Sequence, residues 1–358
     1  MSESDSSQGY KHTVTLVCFG VVFLTFAAYG SEMLENQWSR WCIHLVLIVD
    51  AVAVTSSNFP KNTTGSALVY LSAVAAVIYL RRSRSGLKVT VAFTLLIVLI
   101  GLYLNVRFLI LCALVFSLAY FGARMMSWRR FWVAGVVGCA ASISAVIWFF
   151  LNVDRGGVAQ ELGRRITEIS GHRANSGRDQ LYFYLLSKVQ DNPLTGLGAG
   201  TLPRDFLSTE FSAHNFYLQV YLQVGLLGVA VLICFLLSVW RDMAQLTTVP
   251  GRFGGAVFLM FVIHNGAEVL LLQNSALVAI PAWAAIGLAL ALDRSSSSTR
   301  GAFCTSLTRR DDVDLPSSVH LAGTKTDTGL PLGSRSATTN LIAGQWRLPK
   351  SPLSQQGE

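Results

Sequence analysis

Charge is scarce in this 358-residue chain: Asp, Glu, Lys and Arg together make up only 13% of it, about half the roughly 25% of a soluble domain. Too few ionisable groups remain to solvate a surface facing water, which excludes an ordinary soluble enzyme. With 52% hydrophobic residues and a mean hydropathy of +0.48, the main solvent is hydrocarbon. Metal-binding patterns are lacking too. There is no HExxH, no CxxC pair and no acidic cluster of metal-binding type, so a chemistry free of metal and cofactor is expected. Of the cysteines, Cys18, Cys42, Cys112, Cys139 and Cys234 lie in apolar runs and Cys304 in the C-terminal tail. They read as small hydrophobes, with no disulfide framework implied. No internal repeat is evident. A formal charge of +8 would suggest a nucleic-acid partner in a soluble protein. Here the arginines sit mostly between apolar spans, and the excess of Lys and Arg in cytoplasmic loops accounts for them without nucleic acid.

What the chain has in abundance is apolar runs long enough to cross roughly 30 Å of hydrocarbon. They fall near Thr13–Tyr29, Cys42–Ser56, Ala67–Leu80, Val89–Leu104, Phe108–Phe121, Phe131–Leu151, Phe216–Trp240, Phe253–Leu272 and Ala276–Leu292. The expected fold is an all-α, polytopic transmembrane bundle of about nine spans. Arg81, Arg82, Arg84 and Lys88 crowd one short loop, and Arg124, Arg129 and Arg130 another. Both loops are expected in the cytoplasm, which turns the segment after Leu151 outward. The chain therefore divides into an N-terminal tail (1–12), an N-terminal transmembrane bundle (13–152), an extracytoplasmic loop (153–213), C-terminal transmembrane helices (214–292) and a cytoplasmic tail (293–358). The Ser-, Thr-, Gly- and Pro-rich tail is expected to be disordered. The first span reads as uncleaved, because its leading segment is acidic and Ser-rich.

The outward loop runs to about sixty residues, well beyond an ordinary connection, and loops of that size are usually functional or disordered. Val158, Leu162, Ile166 and Ile169 recur at helical spacing opposite Arg164, Arg165 and Glu168, the pattern of an amphipathic helix able to lie on a membrane. A second helix is expected from Ser176, which forms an S-x-x-D capping box with Asp179, and it should end by Asn192–Pro193. Arg178 then lies in the first turn, beside free backbone N–H groups. An anion binds readily at such a place, and it would offset the repulsion between an arginine and the helix dipole. Gly196, Gly198 and Gly200 follow, permitting tight turns and close backbone approach. At the head of the next span stand His214 and Asn215. The latter opens a polar stripe with Gln219 and Gln223, which suits interhelical hydrogen bonding or ligand contact. His214, at the water–lipid boundary, can exchange a proton near neutral pH.

Taken in order, these segments resemble the O-antigen ligase-related family. His214-Asn215, nine residues and then Gly225-Leu226-Leu227-Gly228 is similar to that family's H-[NSQ]-x9-G-x-x-G signature. Upstream, Ser176-Gly177-Arg178 and Pro193-Leu194-Thr195-Gly196-Leu197-Gly198 resemble its SGR and P-L-x-G-x-G elements. The likeness covers the region 153–240. It implies a GT-C-like membrane glycosyltransferase of the bacterial inner membrane, working on its outer face. Such enzymes move a glycan from undecaprenyl diphosphate to a sugar hydroxyl, on lipid A-core in ligases or on another lipid-linked unit in polymerases. By motif, His214 would activate the acceptor hydroxyl and Arg178 would bind the diphosphate. Arg164, Arg165 and Arg173 are further candidates for substrate binding without a motif counterpart. Asn215, Gly196, Gly198 and Gln219 are expected to line the substrate site, and Asp179 and Glu210 are fallback bases.

A competing class is a transporter or flippase for lipid-linked oligosaccharide. Its support is Glu268 with His264 and Asn265 in the eighth span, four-apart partners that can pair, and Asp50 with His44 in the second; ionisable groups inside a membrane are functional candidates by default. Inverted repeats and interrupted helices, which a transporter is expected to show, are not evident.

Overall fold

The computed structural model describes residues 21–56, 60–81, 85–170, 178–207, 213–270 and 276–308. In chain order the α-helices are α1 (21–35), α2 (Gln37–Ser56), α3 (Lys61–Leu80), α4 (Gly86–Tyr103), α5 (Arg107–Met125), α6 (Trp128–Asn152), α7 (Gly157–Ser170), α8 (Arg178–Val189), α9 (Phe216–Ala244), α10 (Val249–His264) and α11 (Ala276–Thr308). The described residues contain no strand. Five complete helices, α3, α4, α5, α6 and α9, and the stretch Val278–Ser296 of α11 are long and apolar enough to cross a membrane. The protein is an all-helical, multi-pass membrane protein. The other three expected spans fall on α1, whose expected first residues 13–20 lie outside the described residues, on α2 and on α10.

Burial sorts the helices into a centre and a sheath. In α10 every residue from Phe253 to His264 is buried, with α3, α4, α5, α6 and α9 around it. Aromatic rings fill the gaps. Phe93, Phe116 and Phe253 meet at 4.9–5.1 Å between centroids, mostly in the edge-on geometry that ring quadrupoles favour. At the other extreme, Phe131 and Gly135 are the only buried residues of α6. Exposed leucines, valines and isoleucines run along α2, α4, α5 and α9 as well. A soluble protein does not present so continuous an apolar surface; lipid covers it here.

Contacts between helix termini separate the bundle into two ends. At one end Arg81 pairs with Glu35 at 3.3 Å, Arg294 pairs with Asp242 at 3.8 Å and Trp240 Nε1 donates to the Trp132 carbonyl at 3.0 Å. The Asp293 carboxylate accepts from the Thr247 and Thr248 amides at 3.0 and 2.7 Å, tying α11 to the α9–α10 turn. Most of the basic residues that flank the spans fall at this end, with Lys61 and Arg107 at the other. At the other end Phe150 of α6 packs on Tyr182 of α8, and the start of α3 meets the turn after α10 through Asn62 and Glu268. Two boundaries differ from expectation. α10 stops at His264, short of Leu272, because the carbonyls of Asn265 and Gly266 are taken by the start of α9. α11 continues to Thr308, beyond the expected tail boundary at 293, since a helix nucleated in a buried span extends at little cost per residue. Residues 309–358 lie outside the described residues.

Candidate functional site

The end of the bundle opposite the basic loops is organised by two residues, His214 and Asn215. Asn215 is the N-cap of α9: its side-chain oxygen accepts from the Leu218 amide at 3.0 Å, the pairing that makes asparagine a favoured cap. Its Nδ2 donates to the Gly266 carbonyl at 2.9 Å, and the Phe216 amide donates to the Asn265 carbonyl at 2.8 Å. The head of α9 is thereby fastened to the tail of α10. Asn215 is fully buried, and both ends of its side-chain amide are engaged within the bundle.

His214 is held in the left-handed region, with φ +46°. For a residue other than glycine that conformation costs on the order of 1–3 kcal/mol, and such strain concentrates at functional sites. Its carbonyl accepts from the Tyr182 hydroxyl of α8 at 3.3 Å. Its ring is turned to Glu268, with Nδ1 3.3 Å from Oε2. The other carboxylate oxygen, Oε1, accepts from Asn62 Nδ2 of α3 at 2.9 Å. The His214 and Glu268 side chains are 32% and 16% exposed, so the pair lies at the mouth of the bundle with limited access to solvent. An ionised carboxylate can only accept, so a neutral His214 in this pairing carries its proton on Nδ1.

One turn deeper a second polar group is fully enclosed. His264 Nδ1 lies 3.2 Å from the Tyr70 hydroxyl and Nε2 3.4 Å from the Ser66 hydroxyl, with the Phe108 ring tilted against it at 5.3 Å between centroids. Glu268 and His264, which could have paired with each other, thus take other partners. Asn62, Ser66 and Tyr70 form one stripe on α3, four residues apart, and this stripe receives both groups. Sequence reasoning missed it. The signal was present in the four-residue spacing, but Asn62 and Ser66 fall in the polar segment before the apolar run, which reads as an ordinary span boundary.

The glycine motifs meet in the structure. α9 is broken at Gly225, where φ is +63° and ψ −163°, so one span is an interrupted helix, contrary to the sequence expectation. The break frees two carbonyls and two amides, and the upstream loop takes all four. Leu197 N and Gly198 N donate to the carbonyls of Leu222 and Gln223 at 2.9 and 3.0 Å. Leu226 N and Leu227 N donate in turn to the carbonyls of Pro193 and Leu194 at 2.9 and 3.2 Å. Backbones approach so closely that a Cβ on Gly225 would lie 2.4 Å from the Leu194 carbonyl, and one on Gly196 would lie 2.6 Å from the Gln223 carbonyl carbon. Gln219 and Gln223 complete the joint, each donating its amide to the Thr201 carbonyl at 3.0 Å. Gly196, Gly198 and Gln219, expected to line a substrate site, hold the loop against the span.

The arginines divide. Arg164 and Arg165 lie on α7 and are engaged within that helix: Arg164 reaches Glu161 at 2.7 Å and also pairs with Glu168, and Arg165 reaches Glu161 at 2.8 Å. The hydrogen bonds from the two guanidinium groups hold the Glu161 carboxyl well below its usual range, at about 2. The surrounding carboxylates neutralise much of the charge expected to meet a substrate. Arg178 is the first residue of α8, as its place at a helix start requires, and its side chain lies outside the described residues. Arg173, the expected cap residue Ser176, the side chain of Asp179 and Glu210 lie outside them too. Arg155, which sequence reasoning passed over, sits 4.0 Å above the Phe183 ring of α8. On α2, His44 lies toward the basic end, its Nδ1 bonding the Arg40 carbonyl at 2.6 Å, and Asp50 lies further along toward the helix C-terminus. A scan of protein-family models finds no family that matches the chain, and a search of curated proteins finds no match.

Proposed function

We propose that the chain is a membrane glycosyltransferase of the O-antigen ligase or polymerase type, with His214 as its general base and Glu268 as the residue that orients it. The observation that carries this reading is the His214–Glu268 pair, 3.3 Å apart and anchored by Asn62, at the end of the bundle where the long loop packs. A carboxylate on Nδ1 fixes the tautomer and supports the imidazolium that forms when Nε2 takes a proton, the same logic as in a base–carboxylate dyad. In the proposed step a sugar hydroxyl gives its proton to His214 Nε2 while its oxygen bonds to the anomeric carbon of the donor. The bond from that carbon to the diphosphate oxygen breaks, and the diphosphate leaves with the electron pair.

The leaving group then needs positive charge rather than a proton. Arg178 and the free amides at the start of α8 would supply it, as a preorganised anion site. The positive-inside rule supports a cytoplasmic Arg-rich end, and in this reading the site lies on the outer face of the bacterial inner membrane, where undecaprenyl-diphosphate-linked glycan and its sugar acceptor, lipid A-core or a second lipid-linked unit, would meet. The same pairing weakens the carrier alternative: Glu268, the group on which a flippase reading leans, is committed to His214 at the bundle mouth instead of lining a path through it.

The test is glycan transfer in membranes from cells carrying each variant. His214→Ala should abolish transfer, and Glu268→Gln should lower it roughly 10²–10⁴-fold, the usual contribution of positioned acid–base groups. Both should leave membrane insertion unchanged. Transfer at the level of the unaltered protein in His214→Ala would remove the imidazole from the reaction and sink the proposal.

A further inference from the structure

A second site lies at the opposite end of the bundle, independent of glycan transfer. Between α1, α2 and α3 is a cleft of about 780 Å³, with Arg40, His44 and Trp41 on one wall and Arg81, Tyr79 and Ile78 on the other. Its chemistry is graded. Arg81 caps the C-terminus of α3, and Arg40 lies in the first turns of α2; because the two helices run in opposite directions, both guanidinium groups fall at the same level. Moving from Arg81 back along α3, the wall becomes apolar at Ile78 and Ala75. Moving forward along α2, Arg40 and His44 share one face with Ile48 and Val52, both exposed.

Two details call for an anion. Arg40 Nε is buried without a hydrogen-bond partner, and a buried donor left unpaired in a native protein demands an explanation. Among the described residues, the one carboxylate paired with the cleft's cations is Glu35, which meets Arg81 at 3.3 Å but is 72% exposed, so it offsets little of their charge. Trp41 and Tyr79 stand at the same level, and both residue types favour the boundary between headgroups and hydrocarbon.

We propose that this cleft binds an anionic phospholipid, with its phosphate between Arg40 and Arg81 and an acyl chain running down the apolar surface of Ile78, Ile48 and Val52. A headgroup alone would leave the apolar half of the cleft unused, and a neutral lipid would leave the two guanidinium groups without a counter-charge. Basic pockets between spans at the cytoplasmic face are suited to such lipids.

Native mass spectrometry of the full chain, released from nanodiscs of equal parts phosphatidylglycerol and phosphatidylcholine, reads the site directly. The unaltered protein should retain phosphatidylglycerol preferentially, and Arg40→Gln and Arg81→Gln should each cut that preference by roughly fivefold. Arg124→Gln, at the same end but outside the cleft, should leave it unchanged. Equal retention of both lipids would overturn the proposal, and an equal loss in Arg124→Gln would replace it with general attraction to a basic surface. A thermal-unfolding series in detergent separates lipid from free anion. Short-chain phosphatidylglycerol should raise the midpoint and inorganic phosphate at the same concentration should not; equal shifts would assign the cleft to free phosphate and refute the lipid reading.

Discussion

Gly225→Ala should release the glycine loop from α9 while leaving the span inserted. In the native joint the helix gives up two of its own hydrogen bonds, Leu226 N to the Leu222 carbonyl and Leu227 N to the Gln223 carbonyl, in exchange for four to the loop. An alanine at φ +63° and ψ −163° costs on the order of 1–3 kcal/mol. Its Cβ would also lie 2.4 Å from the backbone of Leu194, an atom with no freedom to move aside. Straightening α9 removes both penalties and restores the two helical bonds. It leaves the loop without its four, worth about 0.5–1.5 kcal/mol each, or roughly 2–6 kcal/mol in all. Amide exchange at Leu197 and Gly198 should then accelerate by about 30-fold or more, read by hydrogen–deuterium exchange and mass spectrometry on the chain in nanodiscs. Gly138→Ala is the control, because a Cβ there meets nothing within 4 Å. Protection of the loop in Gly225→Ala equal to that in the unaltered chain would refute the exchange of bonds described above.

Gly135→Ala should lower the unfolding midpoint in a thermal-shift assay, since its Cβ would fall 2.3 Å from the Trp240 ring and overpacking of this kind costs about 1–3 kcal/mol; an unchanged midpoint would show that the α6–α9 contact yields freely. The Glu161 carboxyl, held down by Arg164 and Arg165 to about 2, should titrate near that value by carbon-13 NMR. Because its folded value lies below its unfolded one, the stabilisation of α7 by this network is complete above about pH 4.5 and is lost as pH falls through about 2; a midpoint near 4.5 would mean that the pairs do not form. In a cysteine-free background, Val158→Cys, at a site 77% exposed on α7, should react with an impermeant maleimide from the outer face. Met125→Cys, 84% exposed at the basic end, should react only after the inner face is opened, and the reverse pattern would invert the topology.

The helices were legible because hydrocarbon imposes a simple code: long apolar runs broken by charge. Asn215 was legible as a boundary and proved to be a cap, because capping is local chemistry written in adjacent residues. Glu268 stood out as an ionisable group in an apolar setting, yet its partner could not be read. His214 is 54 positions away and Asn62 is 206, and nothing local in the chain encodes such pairings. The resemblance placed the two glycine motifs in order and left their purpose open. Only the fold shows them as two halves of one joint, since a glycine in an apolar run reads equally as a packing residue. The end of α10 at His264 was missed for a related reason: the acceptors that terminate it are claimed by a distant element, the head of α9.

The joint at Gly225 also constrains how this region can be transplanted. Because peptide groups of the loop complete the ladder of the span, residues 193–198 are a missing piece of α9 and do not behave as an independent appendage. A chimaera that imports the loop without its matching helix would leave amides and carbonyls facing acyl chains with no mate. Recombination between related chains should therefore succeed at crossover points before Pro193 or after Gly228, and fail between them.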